Sequence, residues 1–204
     1  MHQATPIIGS DTVGDPACFR TFEELARLLK TLTATPKDKS TVTLLMSRRE
    51  GGRRELLKSA RLEIDGGMPG DAWGRNPKRK IDAQLATMQT DVAELIANGQ
   101  PIELSGDNLY LALDLSNGNL PAGSRVRVGG VLLEVTPMPH NGCKKFRARF
   151  GEGAHQFVSV PELRHRNLRG MYFRVIEAGE VRVGDPVMVV SRPAVLADQR
   201  RRPA

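Results

Sequence analysis

Cysteine is scarce in this sequence: only Cys18 and Cys143 occur in 204 residues. Disulfide-stabilised domains carry more cysteines in shorter chains, so a disulfide framework is excluded. The N-terminus lacks the charged and apolar regions of a signal peptide, and no apolar run approaches the ~20 residues that span a bilayer. We therefore expect a cytoplasmic protein with reduced thiols and no membrane association.

Aromatic residues are also few, at 4% of the chain, so leucine, valine and isoleucine must build the core. In contrast, the sequence contains 20 glycines and 13 prolines. These residues punctuate the chain with turns, which favours many short strands over a helical bundle.

Several catalytic motifs are missing. The sequence has no P-loop, no G-x-G-x-x-G after a strand, no H-E-x-x-H and no G-x-S-x-G. It has no evident pair of catalytic carboxylates, and its two cysteines are too far apart to indicate a structural zinc site. The common nucleotide-dependent, zinc-peptidase, serine-hydrolase and glycosidase classes are thereby excluded.

The net charge is +7, from 30 basic and 23 acidic residues, and it favours an anionic partner. Part of this charge lies in the arginine-rich segment 192–204, which we expect to be a disordered basic tail. The few aromatic residues do not interleave with the cations as stacking platforms would, so nucleic acid is not the expected partner.

The pattern predicts a single α+β domain, predominantly β, over residues 21–191. Residues 1–20 show no periodicity and are interpreted as a loose lead-in. Thr21 and Glu24 fit a capping box that starts a helix over 21–34, and an apolar stripe predicts a second helix over 81–97.

Beyond residue 101 the chain is predicted to be all-β. Val126 to Val135 forms a hairpin around Gly129-Gly130, where glycine supplies the positive φ of the turn. Short strands joined by glycine turns continue to Val190, which is typical of a closed or partly closed barrel.

The run from Pro137 to Phe146 is the most informative segment, because its prolines and glycine fix a tight loop ending at Cys143. A lone cysteine is usually a small buried hydrophobe. Here the cations that follow would stabilise a thiolate, the form that attacks or binds metal. His140 is a candidate for a catalytic proton relay. Cys18 has no such context, and Asp107 is interpreted as a turn residue.

Several segments together resemble one family, the MOSC domain, named after the C-terminal domain of molybdenum cofactor sulfurases. The similarity covers roughly 42–190 and rests on Gly70-Asp71, Ser105–Leu109, Thr136–Phe150, Leu168–Tyr172 and Gly179–Asp185. The sequence departs from the family at Asp71–Gly74, where a histidine is missing.

This resemblance implies a MOSC-type β-barrel with a few peripheral helices and a pocket for the molybdenum cofactor (molybdopterin). It implies that Cys143 is the molybdenum ligand or a sulfur-carrying thiolate. The residues expected to bind the cofactor and its phosphate are Arg75, Lys78, Arg79, Lys80, Asn108, Asn141, Lys144 and Lys145. Pyridoxal phosphate is not expected, because the chain contains no desulfurase domain.

Three functions remain open. The first is an oxotransferase or reductase that acts on a small-molecule substrate with electrons from an external donor protein. The second is a sulfur carrier that receives sulfur from a donor and passes a Cys143 persulfide to a partner. The third is a non-enzymatic binder of anions or nucleic acid, for which only the charge argues.

Overall fold

The computed structural model describes residues 12–193. The predictions of a loose lead-in over 1–20 and a disordered tail over 192–204 therefore lie mostly outside the described residues. Within the described part of the tail, Arg192 donates hydrogen bonds to the carbonyl oxygens of Asn119 (2.7 Å) and Lys37 (3.0 Å). This arginine is thus held against the domain.

A closed barrel dominates the part of the chain that the structure describes. The strands are β1 (Lys39–Arg48), β2 (Arg54–Leu57), β3 (Ser59–Leu62), β4 (Leu85–Gln89), β5 (Leu109–Leu111), β6 (Arg125–Val128), β7 (Val131–Val135), β8 (Met171–Glu177), β9 (Gly179–Arg182) and β10 (Pro186–Ser191). Seven of them follow one another in the order β10-β6-β7-β8-β4-β5-β1, and pairing of β1 with β10 closes the ring. β2 extends the sheet beyond β1, and β3 pairs with β9. The α+β barrel predicted from the sequence is confirmed.

The barrel closes because β1 is long enough to serve three partners. Its first residues pair with β10, its middle with β5 and its last four residues with β2. The register shifts between Val42 and Leu44, and such an irregularity bends a strand so that it can turn a barrel corner. Closure leaves the barrel strands without free edges.

The predicted hairpin is confirmed: β6 and β7 pair antiparallel from Arg125–Glu134 to Val128–Val131. Gly129 has φ 54° in the turn between them. An added Cβ at Gly129 would lie 2.3 Å from the Asp185 carboxylate, so both conformation and space require glycine there.

Residues 12–193 form four α-helices, α1 (Phe22–Leu29), α2 (Ala72–Arg75), α3 (Thr90–Ala97) and α4 (Lys144–Ser159), and five short 3-10 helices. The capping box that starts α1 is present, with Thr21 Oγ1 accepting from the Glu24 N–H. α1 ends at Leu29 rather than near residue 34, because the Lys30 N–H already bonds to the Arg27 and Leu28 carbonyls in a tightened last turn.

Two predictions of local structure are wrong. The first half of the helix expected over 81–97 is instead a 3-10 turn, Ile81–Ala83, followed by strand β4, whose five residues are all buried between β8 and β5. Leu85 and Met88 of β4 continue the apolar spacing of the helix that follows, and the periodicity of so short a buried strand cannot be distinguished from that of a helix. The region beyond residue 101 is not all-β, because it contains α4.

Helix α4 was missed because glycines and basic residues made it resemble a loop. Its apolar side chains nevertheless lie on one face and are buried with α1 and α3 on the outside of the barrel. Gly151, at φ 85°, breaks the helix. At Gly153 an added Cβ would lie 2.3 Å from the Arg20 carbonyl, so glycine allows α4 to approach the start of α1.

Aliphatic side chains fill the barrel interior, as the low aromatic content predicts. This core contains Leu45, Leu85, Leu109 and Leu133 among others, each fully buried, and Phe173 is its one aromatic ring within the described residues. A second core lies between the barrel and the helices, with Phe146, Phe150 and Phe157 of α4. The loop that ends at Cys143 leads from β7 into α4 and therefore crosses between the two cores.

Candidate functional site

The candidate site is a cavity of about 470 Å³ that opens where the β1–β2 turn, the segment before β5 and the loop before α4 meet. We call it the arginine cavity; it is lined by Arg48, Arg49, Glu50, Gly51, Gly52, Arg54, Ala72, Arg75, Ser105, Gly106, His140, Asn141, Cys143, Lys145, Arg149, Arg169 and Tyr172. Its volume is in the range of small-molecule sites, roughly 300–1,000 Å³.

The lining is strongly cationic. Among the described residues that form it, six are arginines and one is a lysine, whereas the single carboxylate is that of Glu50. Guanidinium groups pair with phosphate and carboxylate oxygens through two parallel hydrogen bonds. The lining is therefore chemically suited to an anionic ligand.

Arg48 is fixed at the cavity wall by a buried carboxylate. Its Nη2 lies 2.6 Å from Asp71 Oδ2, and Asn108 Nδ2 donates to Asp71 Oδ1 at 3.0 Å. Burial alone would raise the Asp71 pKa, but the hydrogen bonds and charge of Arg48 outweigh burial and hold it below its usual value. The Gly70-Asp71 segment thus positions an arginine, and Asp71 also caps α2 at the Trp73 N–H.

Arg169 is fixed in the same manner by Asp107. The carboxylate is fully buried, and Arg169 Nη1 donates to its two oxygens at 3.0 and 2.8 Å while Ser105 Oγ donates at 2.6 Å. Burial opposes ionisation of Asp107, yet the positive charge of Arg169 lowers its pKa below the ordinary value. Asp107 is therefore not only a turn residue, as the sequence suggested, but the buried counterion of a cavity arginine.

Arg54 and Arg149 approach each other at Gly106, which has φ 88°. A Cβ at position 106 would lie 3.9 Å from one guanidinium and 4.0 Å from the other. Burial, followed by the repulsion of Arg149, lowers the pKa of Arg54 to about 10. Positive charge is thus concentrated at this end of the cavity, beside a glycine that leaves room for a ligand.

His140, the predicted proton relay, is almost completely buried. Burial, reinforced by the charge of Arg169, lowers its pKa to about 3, so the imidazole is neutral at pH 7. Its Nδ1 lies 3.6 Å from Asp107 Oδ1, a contact between a carboxylate and an uncharged ring. The ring packs on Tyr172 with centroids 4.3 Å apart. The His140 ring therefore helps to hold the Tyr172 ring in position.

Cys143 is exposed and lines the cavity at the point where α4 begins. Lys145 lines the cavity beside it. Cys18 lies in another part of the fold, half-buried, with its sulfur 4.0 Å from the Asp15 carboxylate. Of the two thiols, only that of Cys143 faces the cationic cavity.

The structure brings together some of the residues predicted from the sequence and separates others. Arg75, Asn141 and Lys145 line the arginine cavity together with His140 and Cys143. The remaining predicted residues, Lys78, Arg79, Lys80, Lys144 and Asn108, are not part of its lining. The first four are exposed, and Asn108 is buried in the network around Asp71.

The basic run 78–80 is drawn away from the cavity by Trp73. The indole Nε1 donates to the Lys80 carbonyl at 2.8 Å, and the Arg79 guanidinium lies 5.4 Å from the ring centroid. The Arg79 guanidinium therefore covers a tryptophan, and the backbone of Lys80 accepts its N–H.

Several cavity residues were not singled out from the sequence: Arg48, Arg49, Arg54, Arg149, Arg169 and Tyr172. Arg149, Arg169 and Tyr172 belong to segments that carried the family resemblance, and this was the one available signal. The others come from β1, from β2 and from the turn between them, and only folding brings them to the cavity.

Within residues 12–193, no three histidine, cysteine, aspartate or glutamate side chains come together as a metal-binding group. None of the helices in this range is long and apolar enough to cross a lipid bilayer.

Solved structures share this architecture at low sequence identity. A crystal structure of a hypothetical protein aligns with a TM-score of 0.55 at 20% identity, covering 77% of this chain and 70% of the other. The YuaD protein from Bacillus subtilis aligns at 0.54 and 18% identity, covering 73% and 94%. YiiM from Escherichia coli aligns at 0.52 and 21%, covering 76% and 70%. These similarities show the fold alone.

No curated protein matches the sequence. The profile of the MOSC domain, however, matches residues 81–188. This match covers more than half of the chain, from the turn before β4 to β10, and it includes the cysteine loop. The chain therefore belongs to the MOSC domain family, which is associated with molybdenum cofactor binding and sulfurase-like functions.

Proposed function

We propose that this protein binds the molybdenum cofactor in the arginine cavity and acts as an oxotransferase or reductase on a small molecule. The observation that supports this most strongly is the exposed thiol of Cys143 at the wall of a cavity with six arginines. An anionic pterin with a terminal phosphate and a soft metal needs both features.

The residues present fit the cofactor by the chemistry of their donors. A cysteine thiolate is a soft ligand suited to molybdenum, and Cys143 is the one cysteine of the described residues that lines the cavity. The cations around Gly106 suit the phosphate, because burial strengthens charge-assisted hydrogen bonds. The ligand would then lie between an anion-binding end and a metal-binding end.

Bound at this position, the metal would supply two-electron oxygen-atom transfer. The chain itself would bind the cofactor through Arg54 and Arg149, hold the metal through Cys143 and orient Tyr172 against the cavity through His140. Removal of an oxygen atom from a substrate as water consumes two electrons and two protons. The electrons would come from an external donor protein, and the protons from solvent at the open cavity mouth.

The decisive experiment compares the two cysteines. Wild type, Cys143→Ser and the matched control Cys18→Ser are expressed in a host that makes the cofactor, and molybdenum and pterin are measured in each purified protein. We expect near-stoichiometric molybdenum in wild type and Cys18→Ser, and a loss of at least about tenfold in Cys143→Ser, because serine replaces a soft ligand by a hard one. Equal molybdenum in all three proteins, or none in any, would contradict the proposal.

A second function is favoured by the exposure of Cys143, which a partner protein can reach without opening the fold. In this reading Cys143 carries a persulfide from a sulfur donor to an acceptor. It requires a mass increase of about 32 Da on Cys143 after incubation with a sulfur donor, since one sulfur atom is added. An unmodified Cys143 under conditions that modify a control persulfide carrier would exclude this function.

A further inference from the structure

A second concave region lies behind the cysteine loop, on the side away from most of the arginines. It consists of a cavity of about 430 Å³ and a smaller one of about 220 Å³, which share Pro139, His140, Arg164 and Asn167. We call the two together the proline groove; its characteristic residues are Pro121, Pro137, Pro139, Arg164, Asn167 and Met171.

The proline groove adjoins the arginine cavity. His140, Asn141 and Arg169 line both the arginine cavity and the smaller part of the groove. Asn141 is exposed, so a ligand lying in the groove can extend past its side chain towards the surface where Cys143 lies. The two regions are thus neighbouring parts of one larger site.

Hydrogen bonds hold the groove walls in place. Asn167 has a left-handed backbone with φ 49°, and its Nδ2 donates to the Leu115 carbonyl at 2.9 Å and to Asn117 Oδ1 at 2.8 Å. The Gly170 N–H donates to the Asn167 carbonyl at 2.7 Å. Because these bonds hold the walls, the groove is formed before any ligand binds.

The groove has a different chemistry from the arginine cavity. Its lining combines three prolines and two methionines with polar side chains, and none of the described residues that line it is acidic. Arg164 is exposed and takes part in none of the ion pairs within residues 12–193. The lining therefore suits a flat apolar body that carries a negatively charged or polarised group.

We propose that the proline groove binds the organic body of the substrate, a small aromatic or apolar molecule with an anionic group that pairs with Arg164. The reacting group of this molecule would extend past Asn141 towards Cys143. The assignment of this ligand as substrate rests on the proposed function, whereas its binding to the groove does not require the cofactor.

The test uses cofactor-free protein and benzoate as the probe, in a titration followed by ligand-observed NMR. We expect saturable binding with a dissociation constant on the order of 1 mM, which is reasonable for a ligand of this size. Arg164→Gln should weaken binding about fivefold, because a charge-assisted hydrogen bond is lost at a partly solvated position. Ala122→Trp, which fills the larger part of the groove from an exposed position, should abolish saturation.

Two controls locate the probe. Arg166→Gln alters an exposed arginine on the same turn that does not line the groove, and Arg75→Gln alters the arginine cavity. Both should leave the benzoate affinity within about twofold, since neither removes a groove contact. Loss of binding in Arg75→Gln but not in Arg164→Gln would place benzoate in the arginine cavity and overturn the proposal, as would absence of saturable binding.

The link to Cys143 is tested with an affinity label, 4-(bromoacetyl)benzoate, whose bromide leaves as the thiolate attacks the methylene carbon. Wild type and Arg166→Gln should be alkylated at Cys143 about fivefold faster than Arg164→Gln, since the groove holds the label near the thiol. Equal rates in the three proteins would refute the substrate assignment. If the proposed function is wrong but the groove binds as proposed, the purified protein will contain no molybdenum while the benzoate-binding and alkylation results remain as expected.

Discussion

Replacing Arg169 by methionine should destabilise the protein strongly, because Asp107 would keep its charge and lose its counterion. The carboxylate is fully buried, and both of its oxygens accept from Arg169 Nη1, at 3.0 and 2.8 Å. After the substitution, Ser105 Oγ at 2.6 Å still donates to the carboxylate, and the uncharged His140 Nδ1 lies 3.6 Å from it. Removing one partner of a buried ion pair costs about 3–5 kcal/mol.

This loss is a large fraction of the total stability, which is about 5–15 kcal/mol for a typical domain. For a chain of this length it corresponds to a drop in Tm of roughly 6–20 °C. The Arg169 guanidinium also lies 4.9 Å from the Phe146 ring centroid, a cation–π contact worth about 0.5–2 kcal/mol that methionine replaces by a weaker sulfur–aromatic contact. The expected effect is therefore mainly electrostatic.

The assay is urea unfolding of four proteins: wild type, Arg169→Met, Asp107→Asn and the double variant. Neutralising Asp107 in the Arg169→Met background should restore at least about 2 kcal/mol, since no uncompensated charge remains. Without Arg169, burial should raise the pKa of Asp107 above its value in the unfolded chain. As the pH falls from 8 to 5, the folded variant then takes up a proton at Asp107 before the unfolded chain does. The loss of unfolding free energy in Arg169→Met relative to wild type should therefore shrink over this range.

Arg174→Met is the matched control, because Arg174 is a half-exposed arginine that pairs with Glu134 at 2.5 Å. Exposed pairs contribute about 0–1 kcal/mol, so this variant should be nearly as stable as wild type. If Arg169→Met loses less than about 1 kcal/mol of unfolding free energy, or no more than Arg174→Met loses, Asp107 is not a buried charge that needs Arg169 as its counterion.

Two further predictions concern residues beside this ion pair, namely His140, which lies against Asp107, and Gly170, which follows Arg169 in the chain. The pKa of His140 is about 3 in the fold, below its ordinary value. From pH 7.5 to 5 the unfolded chain therefore takes up a proton at this residue that the folded chain does not. The free energy of unfolding should fall by about 2 kcal/mol across this range. The unfolding free energy of His140→Gln, measured by denaturation at both pH values, should lack this decrease. If wild type and the variant show the same pH dependence, the pKa of His140 is not depressed by the fold. Gly170→Ala should cost well over about 2 kcal/mol in the same assay, because its Cβ would lie 2.1 Å from the Thr87 carbonyl and φ is positive. In Gly184→Ala, where φ is also positive but nothing lies within 4 Å of the added Cβ, only about 1 kcal/mol of backbone strain is expected, and equal losses in the two variants would show that the contact at Gly170 does not matter.

Local patterns predicted the elements whose determinants lie close together in the chain. The Thr21–Glu24 capping box and the Gly129-Gly130 hairpin are formed by neighbouring residues, and both were predicted correctly. Strand β4 and helix α4 were not. Leu85 and Met88 of β4 continue the apolar spacing of the helix that follows, and α4 carries a glycine, Gly153, required by its contact with the start of α1. In both cases tertiary packing outweighed the local signal.

The same distinction applies to the site. The cysteine loop and its histidine were predicted because prolines, glycine and lysines in one short segment already indicate a constrained, cationic turn. The basic run 78–80 was an equally clear local signal, but Trp73 holds it away from the cavity. A cluster of charge along the sequence therefore does not indicate where the side chains lie.

The sequence by itself determined the fold class, the family and the identity of the thiol at the site, because composition, turn residues and short motifs are properties of adjacent residues. Only the tertiary structure decided which cations line the same cavity as that thiol. Arg48, Arg54, Arg149 and Arg169 come from β1, β2, α4 and the segment before β8, and barrel closure brings them to one cavity. The carboxylates that hold Arg48 and Arg169 are likewise distant in sequence, since a buried charge requires a counterion and the fold alone determines which one is within reach.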